Sequence, residues 1–307
     1  MSKKILITGS NGLLGQKLVY RLLSEKDVEI IATSKGPNRL IKQDGYAYQS
    51  LDITNADEVN IVLAKYVPDV VINTAAMTNV DACETEIELC RKMNVDAVQY
   101  LVDALKKQTN NPQLIHLSTD FIFDGKNGPY RETDIPYPPN SVYSESKLLS
   151  EKVVKESGIK WTIIRTVLVY GVVDNMSRSN IVLWAKDSLS RKKNINVVDD
   201  QFRTPTLAED LAEGCLLAAL KSATGIYNIS GKDFMSILQM VQSIADFWHL
   251  DKSLINPAKT EDIKQPAPRP LRTGFILDKA MSELGYKPHS FTEGLTIVDK
   301  QLKEKGL

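Results

Sequence analysis

The sequence has little of several features that mark other classes of protein. Its three cysteines, Cys83, Cys90 and Cys215, form no CxxC pair and cannot all be joined in disulfides. Free thiols in a reducing cytoplasm are therefore expected. No apolar run approaches the roughly 18 residues of a membrane helix. The apolar run at Lys4–Thr8 is too short, and too soon followed by glycines, for the core of a signal peptide, so we expect a cytoplasmic protein.

An excess of charge of either sign is also missing. The 38 Lys and Arg residues balance 38 Asp and Glu residues. A balanced chain offers no strong field to gather nucleic acid or an anionic membrane, so neither is expected as a partner. Apolar residues make up 43% of the 307 residues, which is close to globular averages and excludes disorder of the whole chain.

The first 165 residues or so alternate between apolar runs and stretches with helical spacing. Lys4–Thr8 and Val70–Ile72 are typical of buried strands, and Gly12–Ser24 carries leucines at helical intervals. Such alternation predicts parallel strands joined by crossover helices on both faces, which is the α/β doubly wound or Rossmann fold. The rhythm ends after Gly171.

The same pattern divides the chain. We predict a Rossmann core over residues 1–171, joined by about 197–231, where a helix at 208–220 precedes one more strand. Segments 172–196 and 232–290, the second of which contains the proline-rich stretch Gln265–Pro270, are predicted to form a smaller C-terminal substrate-binding lid. Residues 291–307 are predicted to be a C-terminal helix.

Glycines at positions 9, 12 and 15 lie between a predicted strand that ends at Thr8 and a helix that begins near Gly12. Glycines there permit a tight turn and close approach of the backbone to a pyrophosphate, and the helix N-terminus attracts the negative charge. The loop therefore predicts a dinucleotide site formed by Gly9, Asn11, Gly12, Leu13, Leu14 and Gly15.

The residues after the second predicted strand indicate which dinucleotide binds. A carboxylate there would hold the ribose of NAD, but the chain has Ser34 and Lys35, with Arg39 nearby. These groups favour the 2′-phosphate of NADPH, with NADH as the alternative cofactor. Asp52, followed by Ile53, could contact the adenine amino group or cap the next helix.

Tyr143 and Lys147 form a YxxxK motif at the start of a predicted helix, where one turn places them on the same face. A phenol of pKa about 10 donates a proton poorly at neutral pH unless a nearby ammonium group lowers that pKa. Thr119, at the end of the fifth predicted strand, could hydrogen-bond a substrate carbonyl beside Tyr143. For a substrate diphosphate, the proline-flanked Arg269 is the first candidate and Arg203 the second.

The glycine loop, the strand-end hydroxyl and the YxxxK motif follow in the order of the short-chain dehydrogenase/reductase superfamily. The chain resembles the extended branch of this superfamily, and most closely the dTDP-4-dehydrorhamnose reductase family, over nearly its whole length. The most specific segments are Asn73–Asp81, Ser118–Gly125, Tyr143–Lys147, Arg165–Thr166, Val169–Gly171, Asp200–Phe202, Pro205–Thr206 and Arg269–Pro270.

The resemblance implies NADPH-dependent reduction of the 4-keto group of a nucleotide-linked 6-deoxy sugar, with dTDP-4-dehydro-L-rhamnose as the first candidate substrate. It implies a catalytic triad of Thr119, Tyr143 and Lys147. It further implies cofactor contacts at Ala75, Ala76 and Met77, substrate contacts at Thr119, Asp120, Tyr143, Leu168 and Arg269, and a water-ordering or simply buried role for Asn94.

Two positions depart from the family pattern. Leu168 stands where the family often has a tryptophan against the sugar, which leaves the identity of the sugar open. Lys17 stands where some members have a glutamate of a metal-bridged dimer, so no metal site is expected. A monomer or a homodimer is expected.

Three other functions remain open from the residues. A nucleotide-sugar dehydratase needs a second carboxylate after Asp120, where this chain has Phe121. An epimerase-reductase needs a deprotonating pair, for which Cys83 and His116 are candidates, although both read better as buried core residues. A non-catalytic NADP-binding subunit, like the regulatory subunit of methionine adenosyltransferase, resembles the same family.

Overall fold

A computed structural model describes residues 2–175 and 179–306. Its strands, in chain order, are β1 Lys3–Thr8, β2 Val28–Ser34, β3 Ala47–Ser50, β4 Val70–Asn73, β5 Gln113–Thr119, β6 Lys160–Thr166, β7 Val169–Tyr170, β8 Ile195–Val198, β9 Phe202–Arg203, β10 Thr206–Leu207, β11 Gly225–Asn228, β12 Met235–Ser236 and β13 Ile255–Ala258.

The α-helices are α1 Leu13–Leu22, α2 Ala56–Tyr66, α3 Val80–Thr85, α4 Ile87–Arg91, α5 Ala97–Lys106, α6 Val142–Lys155, α7 Ile181–Ser190, α8 Ala208–Leu220, α9 Ile237–Phe247 and α10 Phe291–Glu304. Short 3₁₀-helices lie at Asp120–Ile122, Lys252–Leu254 and Thr260–Asp262, and π-helical turns at Lys92–Asp96 and Ala280–Leu284. In the described parts of the chain, no helix has the length and apolarity needed to cross a membrane.

Seven parallel strands form the central sheet in the order β11-β6-β5-β4-β1-β2-β3. The predicted doubly wound sheet is thereby confirmed. The direction of winding reverses at β1, which lies between β4 and β2. Ligands of such sheets bind in the crevice outside the carboxyl ends of the strands at this switch point. The carboxyl ends of β1 and β4 meet there, with Thr8 in register with Asn73.

Alternation of apolar side chains along β1 fills both faces of the sheet. Ile5 and Ile7 pack in a core that includes residues of α1 and α8, whereas Leu6 packs with residues of α2 and α5 on the opposite face. Both layers are dry, because these three strand residues are fully buried. The glycine loop after β1 is therefore carried by a rigid element.

A separate apolar core holds much of the C-terminal part of the chain. It contains residues of α7, α9 and α10 together with the paired strands β8 and β13, and Phe291 of α10 packs edge-on against Tyr170 at 5.3 Å between ring centroids. Two further two-stranded pairs are formed by β7 with β10, which run parallel, and by β9 with β12, which run antiparallel. The division into Rossmann core and lid stays a prediction.

Candidate active site

The glycine loop closes tightly against the end of β4. Gly9 has φ +69°, and a Cβ there would lie 2.8 Å from the backbone nitrogen of Ala75. A Cβ on Gly15 would lie 2.2 Å from the carbonyl oxygen of Gly9. Any other side chain at either position would force the loop open. The two glycines thus bring the start of α1 against the segment that carries Ala75 and Ala76.

The N-terminus of α1 is available to an anion. Gly12 precedes the helix with extended backbone, and among the described residues no side chain caps it. Uncapped N–H groups of a first helical turn are suited to a pyrophosphate. Leu14 packs against the sheet core, and Leu13 Cδ1 would lie 3.3 Å from a Cβ at Gly171, so the loop also meets the segment after β7.

Asn11 connects the glycine loop to the segment that carries Arg39. Its side-chain nitrogen donates to the Pro37 carbonyl at 2.9 Å, and its side-chain oxygen accepts from the Arg39 N–H at 2.9 Å. Asn175 donates to the Arg39 carbonyl at 3.0 Å from the other side. The backbone at Arg39 is thereby fixed beside the predicted pyrophosphate site.

Lys35 and Asp52 form an ion pair of 2.7 Å at the ends of β2 and β3. Burial raises the pKa of Asp52, but hydrogen bonds from Lys35 and Thr54 outweigh it, so the pKa is lowered overall. The cap of α2 is Asn55 rather than Asp52. Ser34 accepts from the Leu51 N–H at 3.0 Å, and Ile53 is buried in the sheet core.

The start of α6 positions the YxxxK motif. Ser141 caps the helix by accepting from the Ser144 N–H at 3.2 Å, which fixes the first turn. Tyr143 is buried and contacts the edge of the Phe121 ring at 6.1 Å between centroids. Burial raises the pKa of Tyr143 strongly, and the Thr119 hydroxyl acts in the opposite direction. The lowering of this pKa by Lys147 that the YxxxK spacing suggests is therefore not observed, because burial dominates, and Tyr143 is a protonated phenol that holds a proton to donate.

Lys147 lies one turn further along α6, also buried. Its Nζ donates to the Leu117 carbonyl at 2.7 Å and lies 3.5 Å from His116 Nε2. Burial lowers the pKa of Lys147 to about 8. This pKa is lower than that of a surface lysine, so Lys147 is mostly an ammonium group at neutral pH and loses its charge as the pH rises through about 8.

Asp120 lies in a buried polar cluster rather than free in a cleft. It accepts from the Thr119 hydroxyl at 3.1 Å and from the Thr273 hydroxyl, and Arg203 Nε lies 3.7 Å from it. Burial raises the pKa of Asp120, although Arg203 and the hydroxyls oppose this. Asp120 thus ties the strand that ends at Thr119 to residue 273 of the C-terminal part.

The two arginines predicted to meet a diphosphate are both paired within the protein. Arg269 forms an ion pair of 2.9 Å with Asp81 and donates to the Ala267 carbonyl at 2.9 Å. Arg203 is buried and donates to the Pro270 carbonyl at 2.7 Å. Arg269 is the more accessible of the two, with 13% of its side chain exposed against 3% for Arg203.

Asn94 holds the segment that contains Met77. Its side chain accepts from the Met77 N–H at 2.8 Å, donates back to the Met77 carbonyl at 3.0 Å, and donates to Ser146 Oγ at 3.0 Å. Asn94 lies in the π-helical turn at Lys92–Asp96, a distortion often found at functional sites. Through it the predicted cofactor segment is attached to the helix that carries Tyr143.

Leu168 has a left-handed backbone, with φ +39°, between β6 and β7. A leucine rarely adopts this conformation, and such strain is concentrated at functional sites. Its side chain packs against both the sheet core and the core of α7, α9 and α10, and its carbonyl accepts from the Thr206 N–H at 3.2 Å. It lies where the two parts of the molecule meet.

Residues proposed for other chemistry lie in unreactive surroundings. Burial raises the pKa of Cys83 to about 12, which makes its thiol a poor base. Lys17 pairs with Glu209 at 2.8 Å. Over residues 2–175 and 179–306, no group of three or more His, Cys, Asp or Glu side chains is arranged to hold a metal ion.

Two contributors to the site were not predicted from the sequence. The Thr273 hydroxyl donates a hydrogen bond to Asp120, 153 positions away along the chain, and nothing in the sequence around Thr273 predicts this contact. The sequence favours a core position for His116, and the residue is buried, but its ring also hydrogen-bonds two polar side chains and lies beside Lys147. The available signal was a histidine inside an otherwise apolar strand that ends at Thr119, the predicted catalytic threonine.

Comparison with known proteins identifies the family of the chain. The family model described as RmlD substrate binding domain matches residues 3–303. The chain belongs to this family. The predicted resemblance is thereby confirmed, and the RmlD family lies within the extended short-chain dehydrogenase/reductases.

Several relatives resemble the chain over most of its length. The spore coat polysaccharide biosynthesis protein SpsK of Bacillus subtilis is 32% identical, covering 95% of each chain. The dTDP-4-dehydrorhamnose reductase of Aggregatibacter actinomycetemcomitans is 31% identical, covering 95% of this chain and 97% of that protein. Methionine adenosyltransferase 2 subunit beta of Bos taurus is 29% identical over 83% of this chain and 75% of its own.

A solved structure agrees in fold. The dTDP-4-dehydrorhamnose reductase of Bacillus anthracis, in complex with NADP, superposes with a TM-score of 0.84 at 28% identity and covers 98% of this chain and 100% of its own. The two chains therefore share one fold over nearly their whole lengths.

Proposed function

We propose that the protein reduces the 4-keto group of a nucleotide-linked 6-deoxy sugar with NADPH, with dTDP-4-dehydro-L-rhamnose as its substrate. The observation that carries the proposal is the placement of Thr119, Tyr143 and Lys147 at the same edge of the sheet as an uncapped helix N-terminus after the glycine loop. Relatives named as dTDP-4-dehydrorhamnose reductases support it.

The cofactor fits the described residues. The first turn of α1 would hold the pyrophosphate, Lys35 and Arg39 would hold the 2′-phosphate, and Lys147 would hold the nicotinamide ribose. NADPH, when bound, supplies the hydride. Lys35 must leave Asp52 to reach a phosphate, and its largely exposed side chain is free to do so.

The protein's own groups handle the proton and the developing charge. Tyr143 is the proton donor to the 4-keto oxygen, and its high pKa keeps the proton in place until negative charge develops. The Thr119 hydroxyl, which donates to Asp120 in the structure, turns to the substrate oxygen. Lys147 stabilises the phenolate that remains.

On the substrate side, Asp120 and Leu168 are proposed to contact the sugar, and Arg269 the diphosphate. The segments 172–196, of which residues 176–178 lie outside the described residues, and 232–290 are proposed to form the lid over them. We further propose a cytoplasmic monomer or homodimer, in agreement with the three free, buried cysteines.

Oxidation of NADPH in the presence of dTDP-4-dehydro-L-rhamnose, followed by the loss of the absorbance of the reduced cofactor, tests the function. We expect a kcat in the ordinary range of about 1–1,000 per second. The product, identified by NMR, should be dTDP-L-rhamnose. Tight NADPH binding without turnover of any 4-keto sugar nucleotide would instead support a non-catalytic NADP-binding subunit.

Cofactor preference provides a second test. Lys35→Ala should raise the KM for NADPH about 5- to 30-fold, which corresponds to about 1–2 kcal/mol for one lost phosphate pairing, and leave the KM for NADH nearly unchanged. Lys26→Ala, an exposed lysine in the turn before β2 at the opposite edge of the sheet, is the matched control. A wild-type protein that prefers NADH would contradict the assignment.

The pH dependence follows from Lys147. Because burial lowers its pKa to about 8, the ammonium form is present below that pH and is lost above it. The kcat/KM for NADPH should therefore be level near neutrality and fall as the pH rises through about 8, by up to tenfold per unit. A value that rises through the same interval would exclude cationic Lys147 from cofactor binding.

A further inference from the structure

Buried polar side chains form a network of hydrogen bonds that leads from the end of β1, where the glycine loop begins, towards Lys147. They belong to Thr8 at the end of β1, Asn73 at the end of β4, His116 in β5 and Ser150 in α6. The distances are 2.6 Å from Thr8 Oγ1 to Asn73 Oδ1, 3.2 Å from Asn73 Nδ2 to His116 Nδ1, and 2.9 Å from His116 Nε2 to Ser150 Oγ.

The donors and acceptors of this hydrogen-bond network determine which ring nitrogen of His116 carries the proton. The Asn73 amide nitrogen can only donate, so His116 Nδ1 must accept and carries no proton. The proton of the neutral ring is then on Nε2 and is donated to Ser150 Oγ. The Ser150 hydroxyl in turn donates to the Lys147 carbonyl at 2.8 Å. Every step has one donor and one acceptor.

The opposite orientation of the Asn73 amide satisfies fewer groups. Thr8 Oγ1 already accepts from the Ala75 N–H at 3.3 Å, and in this alternative it would accept from Asn73 as well. Within the described ranges 2–175 and 179–306, the Thr8 hydroxyl proton would then have no acceptor. Buried hydroxyl groups rarely remain unpaired, so the network selects the first orientation.

The histidine tautomer matters because Lys147 Nζ lies 3.5 Å from His116 Nε2. A protonated Nε2 has no lone pair to offer, so Lys147 keeps only the Leu117 carbonyl as acceptor in this network and its other N–H groups remain for a ligand. With the proton on Nδ1, the Nε2 lone pair would attract the ammonium group and hold it against β5.

We propose that Asn73 and His116 are positioning residues that fix the Nε2–H tautomer and thereby keep the Lys147 ammonium group available to the cofactor ribose. The effect on the ribose rests on the proposed function, whereas the tautomer itself does not. Because Thr8 also bonds the Ala75 N–H, the same network links the cofactor segment after β4 to Lys147.

Two-bond ¹H–¹⁵N correlation spectra of the full chain with ¹⁵N-labelled histidine test the tautomer directly. His249→Gln and His289→Gln assign the signals of the other two histidines. We expect His116 to show a protonated Nε2 and a bare Nδ1, unchanged from about pH 6 to 9. A protonated Nδ1, or titration to the imidazolium in this interval, would overturn the proposal even without any variant at the site.

Asn73→Asp tests the consequence, because a carboxylate only accepts and so draws the ring proton to Nδ1. We expect the tautomer to switch, the Kd for NADPH to rise about tenfold through loss of one charge-assisted hydrogen bond, and the alkaline limb of kcat/KM to move up by about one pH unit. The groups that face Lys147 in this measurement are His116, Glu151 and Cys90.

Asn228→Asp is the matched control, since Asn228 is a fully buried asparagine at the end of β11 in the same sheet. It should lose stability but keep the His116 tautomer and the NADPH affinity. Equal losses of NADPH affinity in both variants would reduce Asn73 to a structural role. If the chain binds NADPH but reduces no sugar nucleotide, the proposed function fails while the tautomer and the Kd still decide this inference.

Discussion

Tyr143→Phe should lower turnover of the 4-keto sugar nucleotide at least about a hundredfold, since a positioned general acid contributes roughly 10²–10⁴ in rate. The substitution keeps the ring, its burial and its contact with Phe121, and removes only the hydroxyl group. The fold and the Kd for NADPH should therefore be unchanged, as measured by thermal unfolding and by quenching of protein fluorescence on titration with NADPH.

Two related variants define this loss. Thr119→Ala should lower turnover less than Tyr143→Phe does, because it removes one neutral hydrogen bond to the substrate oxygen while the proton donor remains. The double variant should lose less than the product of the single factors, since the two groups act on one oxygen. If Tyr143→Phe kept near-wild-type reduction, the acid would have to be another group, and Asp120, whose pKa is raised by burial, would be the first to test.

The parts of the site that could be predicted are those fixed by local geometry. A glycine loop between a strand and a helix, and a Tyr–Lys pair one helical turn apart, depend on residues adjacent in sequence. The doubly wound sheet follows from the alternation of apolar runs with helical spacing, and helix α8 has the predicted bounds, Ala208–Leu220.

The parts that could not be predicted depend on partners distant along the chain. The sequence favours a phosphate as the partner of Lys35, whereas in the structure Asp52, which follows the next strand, pairs with it at 2.7 Å. The sequence makes Arg269 the first candidate for a diphosphate, whereas in the structure it pairs with Asp81, 188 positions away. A charged side chain takes whichever opposite charge the fold brings near, and sequence spacing carries no information on that.

Glu151 illustrates how much an ion pair between a helix and a strand can contribute to stability. Its carboxylate binds Arg165 through two hydrogen bonds of 2.9 Å, and both side chains are almost wholly buried. Burial raises the pKa of Glu151, but the lowering by Arg165 and Lys155 is larger, and the resulting pKa is about 2. The pair joins helix α6, which carries Tyr143 and Lys147, to strand β6 of the sheet.

Glu151→Leu should lower the free energy of unfolding by about 3–5 kcal/mol, because it leaves the Arg165 guanidinium group buried without its counter-charge. Urea unfolding measures the loss. Lys155→Met removes the other, partly exposed partner of the same carboxylate and should lower the free energy of unfolding by less than about 1 kcal/mol.

The pH dependence of stability provides a second measurement. Because the pKa of Glu151 is depressed, the contribution of this residue to the free energy of unfolding is complete above the ordinary glutamate range and is lost as the pH falls towards about 2. The wild type should therefore lose stability in acid more steeply than Glu151→Leu, and parallel curves for the two proteins would show that this buried pair does not hold α6 to the sheet.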